Sequence, residues 1–332
     1  MHSSGTNSRT KGHLSISAVG SRSGSARLAA GAPHIRAFCE CVGVCATRGA
    51  LTLAVLSALL LIAAHSAQAQ TETVLYNFGS QSGDGTYPLA GLVFDKEGNL
   101  YGTATGGGTY GSGLVFEITS SGTEKVLYSF GNQSTDGANP YGRLVFGKKG
   151  NLYGTTYYGG AYGSGTVFEI ATTGKEAGTE KVLYTFGSQS GDGAKPNAGL
   201  VLDKEGNLYG TTFSGGAYGG GTAFEVTPAG TEKVLYSFGG YPEDGYYPSR
   251  GLVLDKKGNL YGTASRGGAN GWGTVFEITT ADTENVLYNF GSQPGDGCYP
   301  VSGLAFGKKG NLYGTTLYGG EYGLGTVFEV TP

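Results

Sequence analysis

The sequence predicts an all-β fold: five repeats of about 52 residues, each a four-stranded sheet, set as the blades of a propeller. Three observations carry this. A VLYNF-like segment begins at Val74, Val126, Val182, Val234 and Val286, with spacings of 52, 56, 52 and 52 residues. Each period holds four runs rich in β-branched and aromatic residues, separated by glycine-rich turns, with no helical period between them. Most of these runs are apolar at consecutive positions, as in Leu92-Val93-Phe94, so both faces of each sheet are expected to be covered.

Residues 1–69 read as a leader. The apolar run Ala50–Ala64 follows the basic Arg48, and Ala67-Gln68-Ala69 has the small-x-small spacing of a signal-peptidase site. Cleavage after Ala69 is expected, which leaves 70–332 as one five-repeat domain. The alternative is an uncleaved membrane anchor, but the run is short of the ~20 residues that span a bilayer. The leader is also longer than an ordinary signal peptide of about 15–30 residues. An internal translation start near Val44 is therefore a hypothesis; Met1 is the only methionine. Sequencing the precursor's N-terminus tests it, and a precursor that begins at Met1 refutes it.

The strands of the first repeat are expected at Gly91–Asp95, Asn99–Thr103, Leu114–Thr119 and Lys125–Phe130. The segment GLVFDKEGNLYGT (Gly91–Thr103) recurs with little change from Arg143, Gly199, Gly251 and Gly303. Two apolar runs around a polar pair and Gly-Asn form a β-hairpin pattern, and Gly98 sits where a type I turn needs a left-handed residue. The spacing of 56 reflects extra residues near Ala171–Gly178. The array opens with Val74–Phe78 before any hairpin and its last run is Val327–Thr331, so the fifth sheet lacks a fourth strand. Pairing Val74–Phe78 beside Val327–Thr331 would close the ring and leave no open edge; the alternative is an open solenoid.

Of 22 Lys and Arg, six precede residue 70; of 25 Asp and Glu, only Glu40 does. The remainder carries a net charge of −8 without basic runs, which argues against nucleic acid and anionic membranes as partners. All four histidines and three of the four cysteines also precede residue 70. The repeat domain thus has no imidazole and one cysteine, Cys298. That excludes an internal disulfide, a Ser-His-Asp triad and a His-ligated metal site within it.

The pattern LVxDxxGNLYGTTxxGGxxxxGTVFEIT, nearly complete at Leu144–Ile170 and Leu252–Thr279, resembles the GloVer repeat of the choice-of-anchor tandem-repeat proteins. This resemblance implies an exported bacterial repeat protein, in a family without an established biochemical activity. Members often carry a C-terminal sorting signal. None is read after Thr331, so surface anchoring has no support here. A looser similarity, through the GNLY strand, links the hairpin to NHL and SMP-30-like propellers.

Alternate loops of such a sheet emerge at opposite ends. The hairpin turns are short and uniform. The loops that lead into each hairpin, and those after GNLYGT, are longer, glycine-rich and variable, which is where function usually resides. Each entry loop carries Asp-Gly-x-x-Pro, with Asp84, Asp136, Asp192, Asp244 and Asp296 as acids. Turn chemistry explains them; a ring of carboxylates holding Ca²⁺ is the functional alternative. Glu117, Glu169, Glu225, Glu277 and Glu329 lie inside strands and are expected to accept fixed bonds from backbone or tyrosine. The variable ligand-binding candidates are Tyr241, Tyr246, Tyr247, Arg250, Arg266 and Trp272 in the fourth repeat, with Glu321 in the fifth. Tyr, Trp and Arg are the residues enriched at binding hot spots.

The leading expectation is a secreted, monomeric binding module for a glycan or other extracellular polymer or protein. The alternatives are an enzyme or a structural envelope or matrix component that binds its own kind. The enzyme would be a glycosidase using carboxylates such as Glu243 and Glu321, or a Ca²⁺-dependent lactonase of the SMP-30-like kind. The lack of any nucleophile–base pair leans against catalysis.

Overall fold

The computed structural model describes residues 71–248 and 250–332; the predicted leader, its apolar run and the cleavage site lie outside the described residues. No helix among the described residues is long and apolar enough to cross a membrane. The architecture is all-β. In the first repeat the strands are Val93–Phe94, Leu100–Ala104, Leu114–Ile118 and Glu124–Ser129, joined in that order as one antiparallel sheet. The pattern recurs in the second repeat (Val145–Phe146, Leu152–Thr156, Thr166–Ile170, Glu180–Thr185) and the third (Val201–Leu202, Leu208–Thr212, Thr222–Val226, Glu232–Ser237). The fourth holds Val253–Leu254, Leu260–Gly267, Thr274–Ile278 and Glu284–Asn289. The fifth has only Ala305–Phe306, Leu312–Gly319 and Thr326–Val330. The extra residues of the long spacing form a short 3₁₀ turn at Gly174–Glu176.

The hairpin turn forms as the sequence predicts. Gly98 has φ of +85°, and its N–H donates to Asp95 O at 3.4 Å. The Asp95 carboxylate accepts from Asn99 N–H at 2.8 Å and from the Tyr101 hydroxyl at 3.0 Å. Where glycine replaces that acid, at Gly147, the tyrosine turns instead to the strand-interior glutamate: Tyr153 OH donates to Glu169 at 3.0 Å. Tyr313, whose hairpin carries Gly307, reaches Glu329 in the same way at 2.7 Å, while Tyr261 keeps Asp255 and bonds both that acid, at 3.3 Å, and Glu277, at 2.8 Å. Glu169, Glu277 and Glu329 are therefore structural acceptors, as expected.

A second glycine of the motif has a packing reason. A Cβ on Gly154 would stand 2.5 Å from Phe168 Cζ, so the ring occupies the space a side chain would need. That ring also meets Phe130 edge-on, with centroids 5.0 Å apart. The same pair, from the segment after one fourth strand to the third strand of the next sheet, recurs as Phe186–Phe224, Phe238–Phe276 and Phe290–Phe328. Sheets thus stack in sequence through phenylalanines that, Phe328 apart, are fully buried. A bulge falls at one place in the third strand of the first four repeats, as between Val167 and Phe168. The first strands of all five repeats line one shared cavity of about 730 Å³.

The expected closure is not formed. Val74–Phe78 carries no strand, and Thr326–Val330 pairs only with Leu312–Gly319. Phe78 packs on Phe116 of the first sheet at 5.0 Å, as its counterparts do at the internal junctions, but the backbone pairing that would join its segment to the fifth sheet is not made. Val327 remains 81% exposed and Val74 62% exposed, so neither covers the other.

Candidate functional site

The two variable loops of each repeat lie at the same end of the sheet. Gly85–Thr86 of the entry loop pairs with Gly106–Gly107 of the loop after the second strand, and equivalent pairs occur in every repeat. In the fourth and fifth repeats this extra pairing fuses with the second strand, which lengthens to eight residues. The sequence reading did not anticipate this fifth short strand. Two-residue pairings dominated by glycine leave no apolar alternation to detect.

The residue after Asp-Gly-x in each entry loop is left-handed: Tyr87, Asn139, Lys195, Tyr247 and Tyr299 have φ of 55–60°. Non-glycine residues adopt this region at a cost of order 1–3 kcal/mol, so surrounding bonds must hold it. They do: Tyr247 N–H donates to Gly220 O of the preceding repeat at 2.8 Å, and its own carbonyl accepts from the Ser265 hydroxyl at 3.1 Å. This backbone turn places a variable side chain at each junction between repeats. Lys195 lies over the rings of Tyr157 and Tyr158 at 5.9 Å. Tyr247 stacks on Phe213 at 4.9 Å. Tyr299 meets Trp272 edge-on at 5.3 Å, with the Arg266 guanidinium 5.1 Å over its ring.

The predicted residues therefore separate into groups. Arg266 and Trp272 come together around Tyr299, which sequence reading missed because it treated that position as turn chemistry alone. Tyr246 is the strand partner of Arg266. Tyr247 belongs to the neighbouring junction. Tyr241 donates to Glu284 at 2.7 Å, and burial, then that bond, raises its phenol above the ordinary range. Arg250 donates through Nε to Val301 O at 2.5 Å and ties two repeats together. Glu321 is exposed in the loop of the fifth repeat, and among the described residues no hydrogen bond or ion pair ties it to the Tyr299 cluster.

The five loop aspartates are engaged locally, by the tyrosine eight residues earlier and by loop backbone. Asp136 accepts from Tyr128 OH at 2.9 Å, from Gly131 and Asn132 N–H, and through its other oxygen from Gly137 N–H. Asp84, Asp192, Asp244 and Asp296 accept the matching tyrosine hydroxyls at 2.8–2.9 Å. Turn chemistry thus accounts for most of their lone pairs, although one oxygen each of Asp192 and Asp244 is buried without a partner. Four glutamates sit opposite them. Burial, then the charge of Asp136, pushes Glu180 up to about 8; burial, then Asp192, pushes Glu232 to about 7.

The repeat architecture agrees with the family comparison. The chain belongs to the Gloeobacter/Verrucomicrobia repeat family, whose model matches residues 61–256 and 203–332. No curated protein matches it. Among solved structures, it is similar to the extracellular domain of a candidate hybrid two-component system from B. thetaiotaomicron. Identity is 12% and the TM-score 0.46, over 69% of this chain and 26% of that one. The chain thus spans about a quarter of that protein's length. A candidate gluconolactonase is similar at 15% identity and a TM-score of 0.43, over 75% and 80% of the two chains. A gluconolactonase from Xanthomonas campestris is similar at 12% identity and a TM-score of 0.36, over 59% of each.

Proposed function

We propose that the five sheets act as blades of a propeller around the shared cavity, and that their loop end is an extracellular glycan-binding surface. Processing of the leader after Ala69 and secretion are part of this reading. The observation that carries it is the cluster at the junction of the fourth and fifth repeats. Trp272 is 43% exposed and edge-on to Tyr299, and Arg266 lies over the same ring. An open indole offers an apolar face to the C–H side of a sugar ring, and a guanidinium beside it offers donors to hydroxyls or carboxylates. Such anchors carry most of the energy of a recognition surface.

A glycan array and a surface-polymer pull-down test the proposal. Trp272→Ala and Arg266→Ala are each expected to weaken binding at least tenfold, a change of about 1.4 kcal/mol. Tyr322→Ala, outside the cluster, is expected to leave it unchanged. No binding above background, or binding indifferent to both cluster substitutions, contradicts the proposal.

A further inference from the structure

Each internal junction between repeats is built from the same contacts. Between the third and fourth repeats, the Thr211 hydroxyl donates to Arg250 O at 3.3 Å and Tyr247 N–H to Gly220 O at 2.8 Å. Phe238 follows the fourth strand, takes a bond to Gly221 O through its N–H, and lays its ring on Phe276. All four internal junctions repeat the hydroxyl bond, the backbone bond across the junction and the phenylalanine pair.

Both halves of a fifth such junction stand open, one at each end. At the tail, the equivalents are the Thr315 hydroxyl, Leu324 O, Gly325 O and the outer edge of Thr326–Val330. At the head, they are Ala90 O, Tyr87 N–H, Phe78 N–H and the Glu72–Asn77 segment. Among the described residues none of these bonds is made. Exposure confirms that the halves are unmet: Leu324 is 87% exposed and Tyr87 71%. Val115 and Val275, the internal counterparts of Val327, are fully buried.

We infer that the tail of one copy takes the head of a second copy, completing this junction between molecules. The occupant follows from the chain itself, because the two surfaces already recognise each other four times within it. The contact is heterologous, head to tail, and so builds a chain or ring of copies. Its register is set by the internal sheets, where Val275 faces Tyr288 and Ile278 faces Glu284. The added strand therefore puts Tyr76 opposite Val327 and Glu72 opposite Val330. Glu72 then comes beside Gln293, as Glu232 lies beside Gln189 at 3.1 Å. Strand addition to an open edge supplies the backbone bonds, and the apolar face supplies the burial.

Sedimentation velocity of the purified full chain over a hundredfold concentration range tests this, beside Val327→Lys at the tail and Leu75→Lys at the head. Both sites are exposed, and circular dichroism and thermal melting verify that each variant folds as the parent does. The parent is expected to form species larger than one copy that grow with concentration. Each variant alone is expected to lose them. An equimolar mixture of the two variants is expected to form a one-to-one dimer and nothing larger, because one usable head and one usable tail remain. A parent that stays monomeric throughout, or assemblies that survive both substitutions, overturn the inference.

Discussion

The junctions inside the array and the surfaces at its ends are made of nearly the same residues, yet their environments are opposite. Val275 in the fourth sheet is fully buried, while Val327 at the matching position of the fifth is 81% exposed. Tyr261 is buried, while Tyr313 is exposed. Sequence identity of a position thus does not fix its burial in a repeat protein; the presence of a following repeat does. Each sheet is apolar on both faces and depends on its neighbours to cover them.

The sharpest way to break this comparison is to truncate the same side chain in both places. Val275→Ala is expected to cost about 2 kcal/mol, from lost burial and an unfilled cavity. Val327→Ala in dilute solution is expected to stay within about 0.5 kcal/mol of the parent. Chemical denaturation measures both. Equal costs would mean that Val327 is covered after all.

A smaller effect separates the fourth repeat from its neighbours. In the second and third sheets, paired threonines share a buried hydrogen bond, as between Thr212 and Thr222 at 2.9 Å. In the fourth, Ala264 replaces the first threonine and the Thr274 hydroxyl is buried with no partner. Thr274→Val is expected to stabilise by about 1 kcal/mol, and Thr222→Val to destabilise by a similar amount. Denaturation midpoints check the opposite signs.

A pH-dependent effect singles out an internal junction as well. Glu180, in an internal junction, has its carboxyl raised from 4.5 to about 8 by burial and by Asp136. A carboxyl raised on folding contributes stability that is complete below its unfolded pKa and lost as pH rises through its folded value. Glu180→Gln is therefore expected to melt higher than the parent at pH 9 and at the same temperature at pH 4. Melting curves that differ equally at both pH values would contradict the assignment.

Much of this was legible in the sequence because local patterns decide it. The hairpin turns, the left-handed Gly98 and the four strand runs fall within a residue or two of their predicted places. The structural use of Asp136 and Glu169 was also readable, since a residue repeated in every copy serves the copy. The Tyr299 cluster was not. Its ring is placed by a left-handed backbone turn and completed by Arg266 and Trp272 of the preceding repeat, and spacing alone does not report a contact across repeats. Ring closure was misjudged for a related reason. Counting strands shows that the fifth sheet lacks one and that Val74–Phe78 resembles it. Complementary sequence does not say whether the two halves meet within one molecule.

Amide exchange of the unpaired strand addresses that point most directly. Protection of Thr326–Val330 should be low in dilute solution and rise as concentration increases, while Thr274–Ile278 stays protected throughout. Full protection of Thr326–Val330 at the lowest concentration, or none at the highest, would contradict the claim that the two ends are halves of one intermolecular junction.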